Sequence, residues 1–296
     1  MIDGVVVLDK PAGVTSFRAV ETVSRLLGKR KCGHAGTLDP MATGVLPVCV
    51  GKATKIAAYL VMQDKEYDAS FRFGTATDTG DVTGREIEAA PGAFAAEASV
   101  AAAVAALVGT WEQVPPAYSA VKVGGTRAYA LARRGEAVDL AARRVTVTEA
   151  RLLDWSREGF RLVLRCSKGF YVRALPRDLG RVLGVPMAVS ALRRLRCGPF
   201  RIEDAVTLGA LAEAVRRGED AAAVVSISRA LAGFPQWEVP GEAAAAVRQG
   251  RSPGPWLAGK GTNAPQPVVL LTHGAEGPVA LVGRGPGGEW KILRGL

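Results

Sequence analysis

Histidine is nearly missing: His34 and His273 are the two in 296 residues, which excludes a histidine-rich metal centre. Cysteine is almost as scarce. Cys32, Cys49, Cys166 and Cys197 form no C-x-x-C pair, and their spacing suits neither a zinc cage nor a small disulfide framework. Reduced thiols in a cytoplasmic setting are the expectation. Long apolar runs are lacking too: "ASVAAAVAALVG" is too short and too rich in alanine to span a bilayer. No basic leader followed by an apolar run opens the chain, so neither a signal peptide nor a membrane partner is expected. There is no Walker A motif and no G-x-G-x-x-G after a strand, so no nucleotide cofactor is indicated. "TATDTGDVTG" lacks the calcium-loop spacing and its terminal Glu, and reads as a turn.

Positive charge, by contrast, is abundant: 38 Lys and Arg stand against 28 Asp and Glu, for a net charge of +10. That sign favours an anionic partner, and nucleic acid is the commonest soluble one; the plainer alternative is a basic, solubilising surface. Apolar residues make up 48% of the chain, which supports a sizeable core and argues against disorder. A length of 296 residues suggests about two domains, or one with an appendage.

"GVVVLDKPAG" predicts a short buried strand stopped by Pro11 and Gly13. Thr15 or Ser16 then caps a helix whose inner face carries Phe17, Val20, Val23, Leu26 and Leu27, with Gly28 at its end. "GVLPVCVG", "EYDASFRFG" and "FRLVLRC" predict strands, the last with Phe160, Leu162, Leu164 and Cys166 on one face. Residues 96–108 predict a helix with Val100, Val104, Leu107 and Val108 inside and Gly109 as its stop. Residues 113–144 mix Pro-Pro, Gly-Gly and many cations, the pattern of a long excursion that carries function. "RALPRDLGRVLG" and the Thr207-capped "TLGALAEAVRRG" predict helices, and residues 188–200 a strand pair. Past about Phe234 a short helix and three short strands, "PVVLLTH", "GPVALVG" and "EWKILRGL", suggest a small β-rich module. Helices and strands mix without βα alternation. The expected class is α+β: a mixed, largely antiparallel central sheet with flanking helices, plus a β-rich C-terminal domain.

Asp39 is the one acid in "CGHAGTLDPMATGVLP". Pro40 pushes it toward extended backbone, and Gly33 and Gly36 let the loop approach another surface closely. An Asp-Pro turn is the bland alternative. Glycosidase chemistry would require a second carboxylate, and no spacing selects among Asp9, Asp64, Glu66 and Asp78. A lone carboxylate nucleophile would instead require a nearby arginine to keep it ionised, and the residues alone leave that arginine unchosen. "SKGFYVRALPRDLG" sets Phe170, Tyr171 and Arg173 together, as base stacking plus phosphate contact requires; the local pattern alone slightly favours the alternative, a hydrophobic corner with solvated arginines. Tyr67, between charges in "DKEYDA", is either a stacking residue or a core residue with a wet tip.

Taken in order, "GVVVLDKPAGVTS", "HAGTLDPMATGVLPVCVGKATK", "KEYDASFRFGTATDTGDVTG", "QVPPAYSAVKVGGTRAYALARRG", "KGFYVRALPRDLG" and "LRRLRCGPF" resemble the TruB-type tRNA pseudouridine-55 synthases over nearly the whole chain. "GTLDPMATGVL" is the most specific of these stretches. The C-terminal residues resemble, more weakly, a PUA domain, an RNA-binding β-module. The resemblance implies a catalytic domain over 1–232, with 113–144 clamping the RNA, and a PUA-like domain over 233–296.

It further implies that Asp39 is the catalytic aspartate and that Arg173 is the arginine paired with it. Tyr67 would stack on the target uracil, and Tyr171 and Leu192 would line the uridine pocket. His34 would insert into the T-loop of tRNA, and Lys10 would support the active-site loop. Arg127, Arg133, Arg134, Arg143 and Arg144 are candidates for phosphate contacts. The implied reaction adds and removes nothing, so no cofactor and no metal are expected. The implied partner is the T stem-loop of tRNA, met by a monomer without an obligatory protein partner. A non-catalytic RNA-binding protein and an Asp-dependent hydrolase of another kind are the competing classes.

Overall fold

A computed structural model describes residues 3–259, 268–274 and 277–296. Its main sheet has ten strands. Eight follow one path: Val224–Val225, Gly4–Lys10, Thr43–Val50, Met187–Cys197, Lys65–Phe73, Gly159–Cys166, Arg143–Trp155 and Gly109–Gln113. Cys32–His34 adds to Thr43–Val50, and Phe200–Arg201 to Met187–Cys197. All pairings are antiparallel except one. Met187–Cys197 runs parallel to Thr43–Val50 and meets it through two register pairs, Arg193 with Thr43 and Arg194 with Gly44. The sheet is thinly stitched at that seam, and the candidate site lies there.

Burial explains the strand patterns. Gly4–Lys10 is almost wholly buried because each of its faces meets a different apolar layer. Val6 and Leu8 join Val23, Leu46, Val48 and Leu162; Val5 and Val7 join Val45, Ile56, Leu231, Leu270 and Leu281. A strand covered on both sides has no polar face to show, so it reads as a continuous apolar run. Lys65–Phe73 is covered mainly on one side, and Lys65, Tyr67, Ala69, Phe71 and Phe73 alternate inward.

The C-terminal strands form a separate four-stranded sheet: Gln236–Glu238, Val269–His273, Gly277–Arg284 and Trp290–Gly295. Gln236–Glu238, a strand that no sequence pattern announces, pairs parallel to Val269–His273. Val269 and Leu271 pack with Val247, Leu257 and Trp290 in a core of their own. Leu270, on the other face, packs with Leu281 against Val5 and Val7 of the main sheet. Among the described residues no helix is long and apolar enough to cross a membrane.

Several expectations need correction. Helix Ser16–Leu26 is capped by Thr15 and buries Ser16, Ala19 and Val23, but Phe17 is 72% exposed. At 3.6 residues per turn Phe17 lies roughly 120° from Val23, outside the buried arc. Helix Glu97–Ala105 stops short of residue 108, so the helical period no longer applies at Val108, which is exposed. Gly109 is no helix stop; it opens strand Gly109–Gln113 with φ 137°. "TATDTGDVTG" is only partly turn: Thr75–Thr77 pairs with Glu86–Ala89. The excursion is shorter at both ends than 113–144, since Gln113 and Arg143 pair with each other in the sheet. Arg143 and Arg144 are therefore exposed sheet residues rather than loop residues. Between them and Gln113 lie a hairpin, Lys122–Val123 with Thr126–Arg127, and helix Ala128–Arg133. Strands of two residues are too short to show a period.

Candidate active site

The loop before strand Thr43–Val50 carries Asp39, and it is held from three sides. Ser16 donates its hydroxyl to the Leu38 carbonyl at 2.9 Å and accepts from the Leu38 N–H at 2.8 Å. Lys10, fully buried at the end of its strand, donates to the carbonyls of Pro11 (2.8 Å), Val14 (2.7 Å) and Pro40 (3.3 Å). Arg194, from the seam, donates to the carbonyls of Val45, Gly36 and Thr37. Gly44, with φ 97°, is the hinge into the strand; a Cβ there would stand 2.3 Å from the Arg194 carbonyl oxygen.

Arg173 reaches Asp39 from the short turn Val172–Ala174 ahead of helix Leu175–Leu183. Its Nε donates to one carboxylate oxygen at 2.8 Å and its Nη2 to the other at 2.9 Å. This is the bidentate fork that matches a carboxylate. The rest of the guanidinium is engaged as well: Nη1 donates to the Thr79 carbonyl and Nη2 to the Tyr118 carbonyl, both at 2.8 Å. The Arg173 side chain is 7% exposed and the Asp39 side chain 34%, so the carboxylate is reachable while its partner is not.

A second carboxylate stands behind the arginine. Asp81 lies 3.7 Å from Arg173 Nε and is 6% exposed. It accepts from Thr79 Oγ1, Thr83 N and Thr83 Oγ1. Thus Asp81 is buried, with three donors on one oxygen and Arg173 facing the other, and is not poised across a bond from Asp39. Gly80, with φ 74°, brings this turn against Arg173; a Cβ would come within 2.2 Å of the Arg173 carbonyl oxygen.

Tyr67 and Leu192 lie on neighbouring strands, with Leu192 opposite Ala69 and Arg194 opposite Tyr67. Both side chains are almost buried. Burial pushes the Tyr67 phenol up to about 12, opposed by the Arg194 guanidinium beside its hydroxyl. Burial likewise pushes the Lys10 ammonium down to about 8, opposed by the charge of Asp39. Tyr171 sits two residues before Arg173, and its backbone is fixed by the buried Gln113 amide: Tyr171 N–H donates to Oε1 at 2.8 Å and Nε2 donates to its carbonyl at 3.1 Å. His34 ends strand Cys32–His34; burial and the charge of Arg194 lower its pKa, and its Nδ1 is buried without a partner.

The structure therefore brings Asp39, Arg173 and Lys10 into direct or near contact, and sets Tyr67 and His34 within electrostatic reach of Arg194 below them. Asp81, Arg194, Gln113 and the carbonyls of Thr79 and Tyr118 are members that sequence reasoning missed. Nothing local marks them: Asp81 lies in a segment with every sign of a surface turn, and Arg194 is one of four arginines in "LRRLRCGPFR".

Comparison with known proteins gives the family of the chain. The model of the TruB family pseudouridylate synthase N-terminal domain matches residues 24–172, and that of the tRNA pseudouridylate synthase B C-terminal domain matches residues 173–232. The chain is 45% identical to a tRNA pseudouridine synthase B of Aromatoleum aromaticum, over 96% of this chain and 87% of that one. The chain belongs to the TruB family of pseudouridylate synthases. A Thermobifida fusca tRNA pseudouridine synthase B is 50% identical, with 72% of this chain and 75% of that one covered. Among solved structures, an H/ACA RNP bound to a substrate RNA containing 2'-deoxyuridine is similar at 25% identity and TM-score 0.74, over 99% of this chain and 84% of that one.

For a TruB-family enzyme the arrangement has a direct chemical use. A reachable carboxylate, locked in direction by a buried guanidinium, is a preorganised nucleophile or base. The Tyr67 ring and the Leu192 side chain share one face of two neighbouring strands.

Proposed function

We propose that this enzyme converts uridine 55 in the T-loop of tRNA to pseudouridine, with Asp39 as the catalytic carboxylate. The observation that carries this is the bidentate Arg173 grip on a solvent-reachable Asp39 at the sheet seam. A uridine in a folded T-loop has to be turned out of the RNA, at a cost of a few kcal/mol. Tyr67 stacks on the extruded uracil, Tyr171 and Leu192 line the rest of its pocket, and His34 enters the T-loop and fills the vacated space. The isomerisation breaks the N1–C1′ bond, turns the base and rejoins it through C5, with the C5 proton released. Asp39 attacks C1′, attacks C6 or takes a ribose proton. Arg173 keeps the carboxylate aimed along any of these routes, and Lys10 supports the loop.

The segment between Gln113 and Arg143 clamps the RNA, with Arg127, Arg133 and Arg134 exposed on it. Arg143 and Arg144 extend that basic surface onto the sheet edge. The β-rich module from residue 233 acts as a PUA-like RNA-binding domain. The enzyme works in the cytoplasm as a monomer and without a guide RNA or obligatory protein partner. Relatives of 44–50% identity named tRNA pseudouridine synthase B favour this over the guide-dependent mode, since the RNP similarity is at 25% identity.

Mapping pseudouridine in tRNA from cells with and without this protein tests the proposal. Loss of the modification at position 55 alone, restored on re-expression, is the expected outcome. Unchanged modification at that position would contradict it.

A further inference from the structure

Arg194 is the largest side chain of the described core with almost no solvent exposure, at 1%. A guanidinium that deep is unfavourable unless its N–H groups are satisfied. Among the described residues it forms no ion pair; its partners are carbonyl groups. Nε donates to Val45 O at 2.7 Å, Nη2 to Gly36 O at 3.1 Å and Nη1 to Thr37 O at 3.4 Å. These oxygens lie on both sides of Asp39, two ahead of it and one beyond the Gly44 hinge. The side chain thus ties together the two ends of the loop whose tip carries Asp39. Gly44 packs directly on the Arg194 backbone, which fixes the loop's exit from below.

In the strand register Arg194 also faces Tyr67. Three of the five N–H groups of an arginine are used on carbonyls, which leaves donors for the Tyr67 hydroxyl. The same guanidinium contributes positive charge around Lys10 and His34. Its neighbour Arg193 points the other way, half-exposed and paired with Asp9 at 2.9 Å. The two adjacent arginines thus do different work.

We propose that Arg194 is a positioning residue for the isomerisation: it sets the backbone of the Asp39 loop and the orientation of the Tyr67 hydroxyl, and acts on the uridine only through them. This rests on the function proposed above. A planar fork meets two carbonyls of the loop and one of the strand that follows it, whereas a lysine is a point charge with a different reach. A misplacement of about 1 Å at a reacting group is worth on the order of 100-fold in rate.

The test is single-turnover tritium release from [5-³H]uridine-labelled tRNA by the full chain, Arg194→Met and Arg194→Lys, with tRNA affinity and thermal unfolding measured on each. Release slower by tenfold or more in the folded variants, with tRNA Kd within about threefold, is expected. Arg194→Lys is expected to restore part of the rate lost in Arg194→Met at most, since charge returns without the fork. Release within tenfold of wild type would overturn the proposal, as would a loss of affinity equal to the loss of rate. Failure of both variants to fold would overturn it too, by making Arg194 a folding residue. Absence of release by the wild-type enzyme would refute the proposed function instead, so the two failures are distinguishable.

Discussion

Tyr67 is where burial has the most measurable consequence. An ordinary phenol ionises near 10, and in the fold Tyr67 does so at about 12, because ionisation would leave a charge in the core. In the unfolded chain the phenol loses its proton first. Between pH 10 and 12 the folded state therefore holds a proton that the unfolded state has released, and stability falls as pH rises through that window. The difference between the two states corresponds to about 2–3 kcal/mol. Unfolding midpoints measured from pH 9 to pH 12 should fall more steeply for the wild type than for Tyr67→Phe, which has no proton to lose. Parallel curves would contradict the assignment. At physiological pH the phenol is neutral with or without that elevation, so the shift shows itself only in alkali.

Legibility differs sharply among neighbouring residues. Asp39 stands out because one acid sits in a glycine-rich loop, but its partner lies 134 positions away and no local pattern selects it. The resemblance of "YVRAL" to a known family is what points to Arg173. Asp81 is invisible in the sequence because its burial follows from Arg173 packing over the turn, a tertiary event. Arg193 and Arg194 are identical in sequence terms; which one is buried depends on the face of the strand that meets the seam.

At the scale of elements, the turn from Thr77 to Gly84 does more than connect strands. It delivers the Thr79 carbonyl and Asp81 to Arg173, and only a glycine fits at position 80. Gly80→Ala adds a Cβ at a positive φ and 2.2 Å from backbone, so the turn must retreat. A loss of about 1–3 kcal/mol in stability is expected from the strain. Turnover on tRNA should fall by on the order of 100-fold as Arg173 loses its backing. Chemical denaturation and the tritium-release assay check the two parts; wild-type turnover would show that Arg173 is held without the turn. Continuous apolar strands and capped helices are readable here because local periodicity reports them. The hairpin at Lys122–Arg127 and the Thr75–Thr77 strand are not, being held by a few cross-strand bonds.

At the scale of the whole molecule, the C-terminal sheet closes the back of the main one. Leu270 and Leu281 cover Val5 and Val7. Removing residues 233–296 would expose that face, at a cost of about 3–6 kcal/mol for two buried leucines. A chain cut after Ala232 is expected to unfold at lower temperature and to associate, as seen by differential scanning calorimetry and light scattering. A monomer of unchanged stability would contradict the shared core. The change of texture past Phe234 is legible in the sequence. The shared core is not, since a strand's two faces look alike until something packs on each.

The central claim is that Asp39, aimed by Arg173, carries out the chemistry on uridine. Tritium release from [5-³H]uridine-labelled tRNA by Asp39→Asn tests it most directly, because the change keeps the size of the side chain and removes its charge. The account predicts release by the wild type and none by Asp39→Asn, while tRNA binding persists. Release at a near-normal rate by the variant would remove Asp39 from the mechanism.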